Sequence, residues 1–389
     1  MKEWKEYNIG EICDTISDTY KGNASNVVLI NTSDVLEGKC LNHTFVPNKD
    51  LRGQFKKQFK KNDILYSEIR PANKRYAFID FEPTDYIAST KLMVIRSNDK
   101  VLPKFLYYIL QSKEMIENLQ FLAESRSGTF PQITFSELAI QTILLPEVKE
   151  QNIIVNFLEA LDSKIELNRR INDNLEQQAQ ALFKAWFVDF EPWQGVMPDD
   201  WREGSIYEIV DVIYGAPYKS NLFNEKKEGL PLIRIRDLKD YSPQYYTPEI
   251  LPNTEFVCMG DVIAGMDAEF IPTLWMGNKG VLNQRCCKFK SKNPKFSNYY
   301  IMYLLKPELE FVQSYKTGTT VSHLGKSDID RFIVVIPSSD VIEDFSRKVE
   351  PLLSEKIKIC KEMRILSSLR DTLLPKLMSG ELKINDLNR

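Results

Sequence analysis

Between Lys49 and Tyr76 stand Lys49, Arg52, Lys56, Lys57, Lys60, Lys61, Arg70, Lys74 and Arg75, opposed only by Asp50, Asp63 and Glu68, with Phe55, Phe59, Tyr66 and Tyr76 interleaved. Cations at that density beside aromatic rings suit a polyanion, whose phosphates attract lysine and arginine and whose bases offer flat faces and hydrogen-bonding edges. A second basic run, Lys279, Arg285, Lys288, Lys290, Lys292 and Lys295, contains no acid, and Arg234 and Arg236 lie upstream of it. One charged run is ordinarily a solvated face. Two runs at comparable places in the two halves of one chain point more firmly to DNA. The net charge of −3 decides nothing here, because phosphate binding depends on local patches rather than on the total.

The residues that would do covalent chemistry are not assembled. An amino-methyltransferase needs a Gly-rich nucleotide turn and an Asp/Asn-Pro-Pro-Tyr/Phe loop for the flipped base. The nearest string, Asn293 to Phe296, reads NPKF and follows no Gly-rich turn. Pro198-Asp199 and Asp237-Leu238-Lys239 carry the letters of a metal-dependent nuclease, but at a loose spacing. Six cysteines without CxxC spacing and only two histidines, His43 and His323, give no zinc pattern. The expectation is a non-catalytic chain with reduced thiols and no metal or cofactor of its own. An apolar fraction of 43% and a charged fraction of 27% place it among soluble globular proteins. It has no apolar run long enough to span a bilayer and no signal-peptide core, so a cytoplasmic location is expected.

The elements that must position the basic runs come in duplicate. Gly128 and Gly318 sit in matching Ser/Thr-Gly-Thr turns 190 positions apart, and Pro146 and Pro337 close matching apolar runs 191 positions apart. Trp4 pairs with Trp201, and the string from Lys61 with the string from Met259. A period this long means two copies of a whole domain. Each copy begins with short β-branched and aromatic runs broken by Gly, Pro, Asn and Asp, which reads as a sheet domain with a few helices. Each then passes at its proline into a charged, helical stretch.

In the first copy Leu158, Leu161, Ile165, Asn168, Asn172, Leu175, Ala179, Leu182 and Trp186 recur at spacings of three and four, a coiled-coil seam with polar residues near its middle. In the second, Leu352, Ile359, Met363, Leu366, Leu373 and Leu377 mark a similar seam, interrupted by Lys356 and Arg370. Helices of roughly 40 residues reach about 60 Å, more than the width of a domain of some 140 residues, so they must find each other or a partner. The organisation predicted is α/β (α+β): domains over 1–146 and 198–337, each followed by a long helix, over 147–190 and 338–385.

This order resembles the specificity subunit of a type I restriction-modification enzyme over nearly the whole chain. The most specific part is the Leu-Pro-x-x-x-x-Glu-Gln helix start at Leu145 to Gln151; the second copy, IPSSDVIEDF, lacks the Glu-Gln pair. The resemblance implies two target-recognition domains separated by two antiparallel helices with pseudo-twofold symmetry, each domain reading half of a split duplex DNA sequence. It implies methyltransferase subunits that dock on the helices and bring S-adenosylmethionine, and motor-nuclease subunits that bring ATP and Mg chemistry. It also places a base-reading loop at Ile69 to Tyr76, with Arg70, Asn73, Lys74, Arg75 and Tyr76 as candidates, and a counterpart at Asp267, Glu269, Asn283, Gln284 and Arg285. Lys56, Lys57, Lys60 and Lys61 are then candidates for phosphates, and Arg234 and Arg236 join the second domain's contacts. A competing reading is a helical scaffold with two protein-binding domains. It fits less well, because a protein-binding face calls for larger apolar anchors and fewer lysines.

Overall fold

The computed structural model describes residues 4–49, 53–316 and 323–382. Asp50 and Arg52 of the first basic run, the turn around Gly318, and 383–385 of the second expected helix lie outside the described residues. The chain divides into two compact units, Met1–Ile165 with Ile365–Arg389, and Glu166–Arg364. Each unit therefore holds one sheet domain and parts of both long helices.

In the first unit, Ile64–Ser67 is buried on both faces, which is why its apolar run shows no clean alternation. It forms a four-stranded sheet in the order Cys13–Ile16, Leu92–Ser97, Ile64–Ser67, Tyr76–Phe78. A second sheet runs Phe45–Pro47, Asn26–Ile30, Tyr86–Ser89, Phe55–Lys57, with its two middle strands parallel. The second unit repeats both orders: Val210–Tyr214, Cys286–Ser291, Val262–Gly265, Thr273–Leu274 in one sheet, and Tyr246–Thr247, Leu230–Ile233, Gly280–Leu282, Phe256–Val257 in the other. The middle strands Leu230–Ile233 and Gly280–Leu282 are again parallel. The registers match as well, since Leu92 stands opposite Ser67 as Cys286 stands opposite Gly265. The protein is a tandem repeat of one α+β domain.

The change of texture at Pro146 and Pro337 also has a structural origin. Thr142–Leu145 pairs antiparallel with Lys5–Asn8, and Ile333–Ile336 with Arg202–Ser205, so the last strand of each domain closes on its first before the chain turns into a long helix. Those helices are Val148–Phe187 and Ser339–Met378, 40 residues each. Gln151 explains the helix-start motif. It is fully buried; its Nε2 donates to the carbonyls of Lys100 and Pro146 at 3.0 Å each, and its Oε1 accepts from the Leu102 amide at 2.8 Å. These bonds tie the start of the long helix to the start of the helix at Pro103–Leu110 and leave no buried polar atom of the side chain unpaired. In the second copy the corresponding amide, Ser297 N, donates to Ser346 Oγ at 2.8 Å. A short side chain one turn further along does the work of the glutamine, which accounts for the missing Glu-Gln pair.

In the first unit Leu158, Ile165, Leu373 and Leu377 are buried, Leu161 and Leu366 half-buried, and Asp162 joins the helices by accepting from Arg370 Nη1 at 3.1 Å and from the Tyr108 hydroxyl at 2.8 Å. In the second unit Asn168, Asn172, Ala179, Phe183 and Ile359 are buried, with Leu175, Leu182, Leu352 and Met363 half-buried. Asn168 Nδ2 donates to Glu362 at 2.9 Å, and Glu176 pairs with Lys356 while accepting from the Tyr303 hydroxyl at 2.6 Å. As the number rises along one helix it falls along the other, so within this unit the two run antiparallel. No described helix is long and apolar enough to cross a membrane.

Candidate nucleic-acid interface

The loop that leaves Ile64–Ser67 is held by the same backbone bonds as the loop that leaves Val262–Gly265. Glu68 N donates to Lys91 O at 3.0 Å, and Met266 N donates to Arg285 O at 2.8 Å. Ile133 N returns to Glu68 O at 2.8 Å, and Leu324 N to Met266 O at 2.7 Å. Ile69 bridges to Gln132, and Asp267 to His323. The next residue is left-handed in both copies, Arg70 at φ 44° and Ala268 at φ 62°. Non-glycine residues at positive φ are uncommon, so their recurrence at one place marks a loop whose path the fold dictates.

On these matched backbones sit matched polar groups. Lys91 Nζ lies 3.7 Å from Glu68 Oε2 and 3.4 Å from Gln132 Oε1. Arg285 Nη1 lies 3.2 Å from Asp267 Oδ2, whose other oxygen is 2.7 Å from His323 Nδ1. The cations are about half exposed, 49% and 56%, and each carboxylate is only 22% exposed. The carboxylates orient the cations, and each cation remains about half open to a ligand. Arg285, Asp267 and the backbone-bonded Asn283, whose Oδ1 accepts from Arg285 N at 3.1 Å, were legible as candidates; Lys91, Glu68, Gln132 and His323 were not.

Helices buttress both loops. Gln120, on Lys113–Arg126, accepts from Ala72 N at 3.0 Å; Gln313, on Asn298–Lys316, accepts from Phe270 N at 2.7 Å and donates to Ala268 O at 2.8 Å. In the first copy Arg126 Nη1 donates to both oxygens of Glu137, at 2.8 and 2.9 Å, and in the second Lys316 pairs with Asp328. Burial pushes both carboxyls up, but the bonds from Thr134 and Arg126, and from Lys316 and Gly325, outweigh it and hold Glu137 and Asp328 below their ordinary values.

The other candidates divide by burial. Lys56, Lys60 and Lys61 are exposed, as are Arg70, Asn73 and Lys74, and Lys74 makes a surface ion pair with Glu37 at 3.2 Å. Arg70 Nη2 reaches Thr129 O at 3.4 Å, beside the Gly128 turn. Arg236, Glu269 and Gln284 are exposed. Three assignments are corrected. Tyr76 is 5% exposed and stacks on Tyr66 with ring centroids 5.7 Å apart, so it is core and presents no face to a base. Lys57 Nζ donates inward to Leu92 O at 2.7 Å, and burial lowers its pKa, so it is not a phosphate contact. Arg234 is 17% exposed, with Nε 3.4 Å from Asp237, its guanidinium 4.3 Å from the centre of the Tyr245 ring and its Nη2 buried without a hydrogen-bond partner, so it is largely withdrawn from the surface. Arg75 is half-buried and donates to Ser33 O at 3.0 Å, which ties down a neighbouring turn. In the second basic run Lys288 is buried between Glu255, at 2.7 Å, and Asp261, at 2.9 Å. Among the described residues no group of three or more His, Cys, Asp or Glu could hold a metal ion.

Two copies of one domain, each presenting a cation and a carboxylate on a fixed loop, define a tandem recognition protein. The comparisons give its family: the model described as type I restriction modification DNA specificity domain matches residues 1–177 and again 198–361, and the chain belongs to that family. It is 31% identical to the type I restriction enzyme HindI specificity subunit of Haemophilus influenzae, over 98% of this chain and 100% of that one. It is 29% identical to the MjaIX specificity subunit of Methanocaldococcus jannaschii, over 74% of this chain and 71% of that one. The crystal structure of a type I restriction-modification system S subunit from M. genitalium shares the fold, with a TM-score of 0.54 at 19% identity over 97% of this chain and 96% of that one. The protein is a type I restriction-modification specificity subunit.

Proposed function

We propose that this chain reads a split duplex DNA target, one half-site per domain, and directs the chemistry of partner subunits while performing none itself. The observation that carries this reading is the repetition of an exposed cation over a half-buried carboxylate on the same loop of both domains. Cations of this kind donate to base acceptors in the major groove, while Lys56, Lys60 and Lys61 supply phosphate contacts that carry no sequence information. Methyltransferase subunits dock on the long helices and supply S-adenosylmethionine for adenine methylation. A motor-nuclease subunit supplies the ATP- and Mg-dependent cleavage of unmodified DNA, and the long helices set the gap between half-sites.

The test is reconstitution. The purified chain alone is expected to transfer no methyl group and cut no DNA. With its cognate methyltransferase subunits and S-adenosylmethionine it is expected to methylate adenines at one bipartite sequence, with retention on duplex DNA falling steeply as salt rises. Methyl transfer by the isolated chain, or salt-insensitive binding to protein partners alone, would overturn the assignment.

A further inference from the structure

We infer that Lys91 with Glu68 and Gln132, and Arg285 with Asp267 and His323, are one base-reading device used twice, and that each reads a single G·C pair in its own half-site. The inference rests on the DNA-reading function proposed above and names the residues that perform it. Nothing in residue type or local sequence links the two trios. They are linked by the bonds from Glu68 and Met266 to Lys91 and Arg285, and by the bridges to Gln132 and His323. The carboxylate sits one position apart in the two loops, yet it meets a cation rooted at the same place, immediately before the strands Leu92–Ser97 and Cys286–Ser291.

The chemistry of the pair selects the base pair. Guanine offers two acceptors in the major groove, O6 and N7, and its partner cytosine offers one donor, the N4 amino group. A cation beside a carboxylate presents donors next to an acceptor and so complements that edge. An A·T pair gives the carboxylate an amino donor and the cation one acceptor on each base, but not the two adjacent acceptors of guanine. Arg285 can grip both guanine acceptors with its rigid fork; Lys91 meets them as a point charge. Gln132 and His323 are positioning residues. They engage the cation or the carboxylate from the segment after the Gly-Thr turn and contact no base themselves.

The experiment uses the full chain with its cognate methyltransferase subunits, S-adenosylmethionine and a plasmid library of random duplex sequence, with methylated adenines mapped by sequencing. Lys91→Met is expected to lower the preference for G·C at one position of one half-site by about tenfold to a hundredfold, and Arg285→Met to do the same in the other half-site. Lys91→Arg, and Arg285→Lys, keep the charge and are expected to retain the preference, which guards against a variant that fails to fold. Gln132→Ala is expected to weaken the same position as Lys91→Met by less, with Gln132→His restoring it, a pattern that a merely structural residue would not give. Uniform loss across all sequences with base preferences intact, altered preference at both half-sites from one substitution, or no change would each overturn the inference. A wild-type complex that methylates no bipartite site would instead overturn the DNA-reading function on which it stands.

Discussion

The two domains agree where the backbone is held and differ in the side chains that stand on it. Asp63 and Asp261 immediately precede matching strands, and each caps the preceding turn, accepting from Lys60 N at 2.8 Å and Cys258 N at 2.7 Å. Their partners differ. Asp63 holds Arg96 by two bonds of 2.7 Å, whereas Asp261 holds Lys288, whose strand position corresponds to Val94. Residues two apart on a strand share a face, so the acid finds a base from either site without disturbing the sheet. The same tolerance operates at the loop, where Lys replaces Arg, Glu replaces Asp one position away, and Gln replaces His. The frame fixes where a polar group stands; the side chain on it can change without refolding the domain.

The largest effect should follow from removing the shared acid. Asp63→Ala leaves Arg96 without its carboxylate and the Lys60 turn without its cap, and is expected to lower the unfolding free energy by about 3–5 kcal/mol. Asp261→Ala is expected to cost less, about 1–3 kcal/mol, because Lys288 keeps Glu255. Urea unfolding of the two variants measures the difference. Equal losses would mean that the acid acts through the turn alone and that the shifted base is immaterial.

A smaller effect separates the basic runs. In the first domain Lys56, Lys60 and Lys61 are exposed, and Glu82 lies 4.0 Å from Lys61. In the second, Lys292 lies 3.5 Å from Asp211 and Lys295 lies 3.1 Å from Glu343. Changing Lys56, Lys60 and Lys61 to Gln is expected to weaken binding to every sequence alike and to lower the slope of log affinity against log salt by up to about 3, nearly one per lost phosphate contact. Changing Lys292 and Lys295 is expected to move that slope by less than about one. Fluorescence anisotropy of the assembled complex on a labelled duplex, titrated with salt, reads both. A larger slope change from the second pair would show that its acidic neighbours release those lysines to DNA.

Much of this organisation was legible in the sequence because it is periodic or marked by proline. The seam from Leu158 to Leu182, the duplication at Gly128 and Gly318, and the turn at Pro146 are signals that survive without coordinates. Residue facing was not legible. A run such as KKQFKK states that lysines are abundant, and only the sheet shows that Lys57 turns inward while Lys56 does not. Tyr76 failed for the same reason, since an aromatic residue in a basic stretch reads alike whether it faces a base or the core. The trio in the first domain was hidden more deeply. Its members lie far apart in the chain, and the offset between copies drifts from 198 at Ile69 and Asp267, to 194 at Lys91 and Arg285, to 191 at Gln132 and His323. Loops of different length make that drift, so no single shift of the sequence against itself brings the trios into line.

The smallest expected effects come from the helix contacts, where the units again solve one problem differently. In the first, Asp162 satisfies Arg370 and the Tyr108 hydroxyl, and burial and then the nearby Asp162 charge hold that hydroxyl well above its ordinary pKa, so it stays a donor. In the second, Asn172 is 8% exposed and its Nδ2 faces sulfur, with Cys360 Sγ at 3.2 Å and Met363 Sδ at 3.5 Å, while its Oδ1 has no hydrogen-bond partner. Sulfur is a weak acceptor, and an unpaired buried carbonyl retains its desolvation cost. Asn172→Leu is therefore expected to raise the unfolding free energy by about 1–2 kcal/mol. Arg370→Met is expected to lower it by about 1 kcal/mol, because that pair is about one-third exposed and partly screened by solvent. The signs are opposite although both substitutions replace a polar seam residue with an apolar one. A loss of stability from Asn172→Leu, measured by urea unfolding of the full chain, would show that the amide makes a bond to water or to a partner worth more than its burial costs.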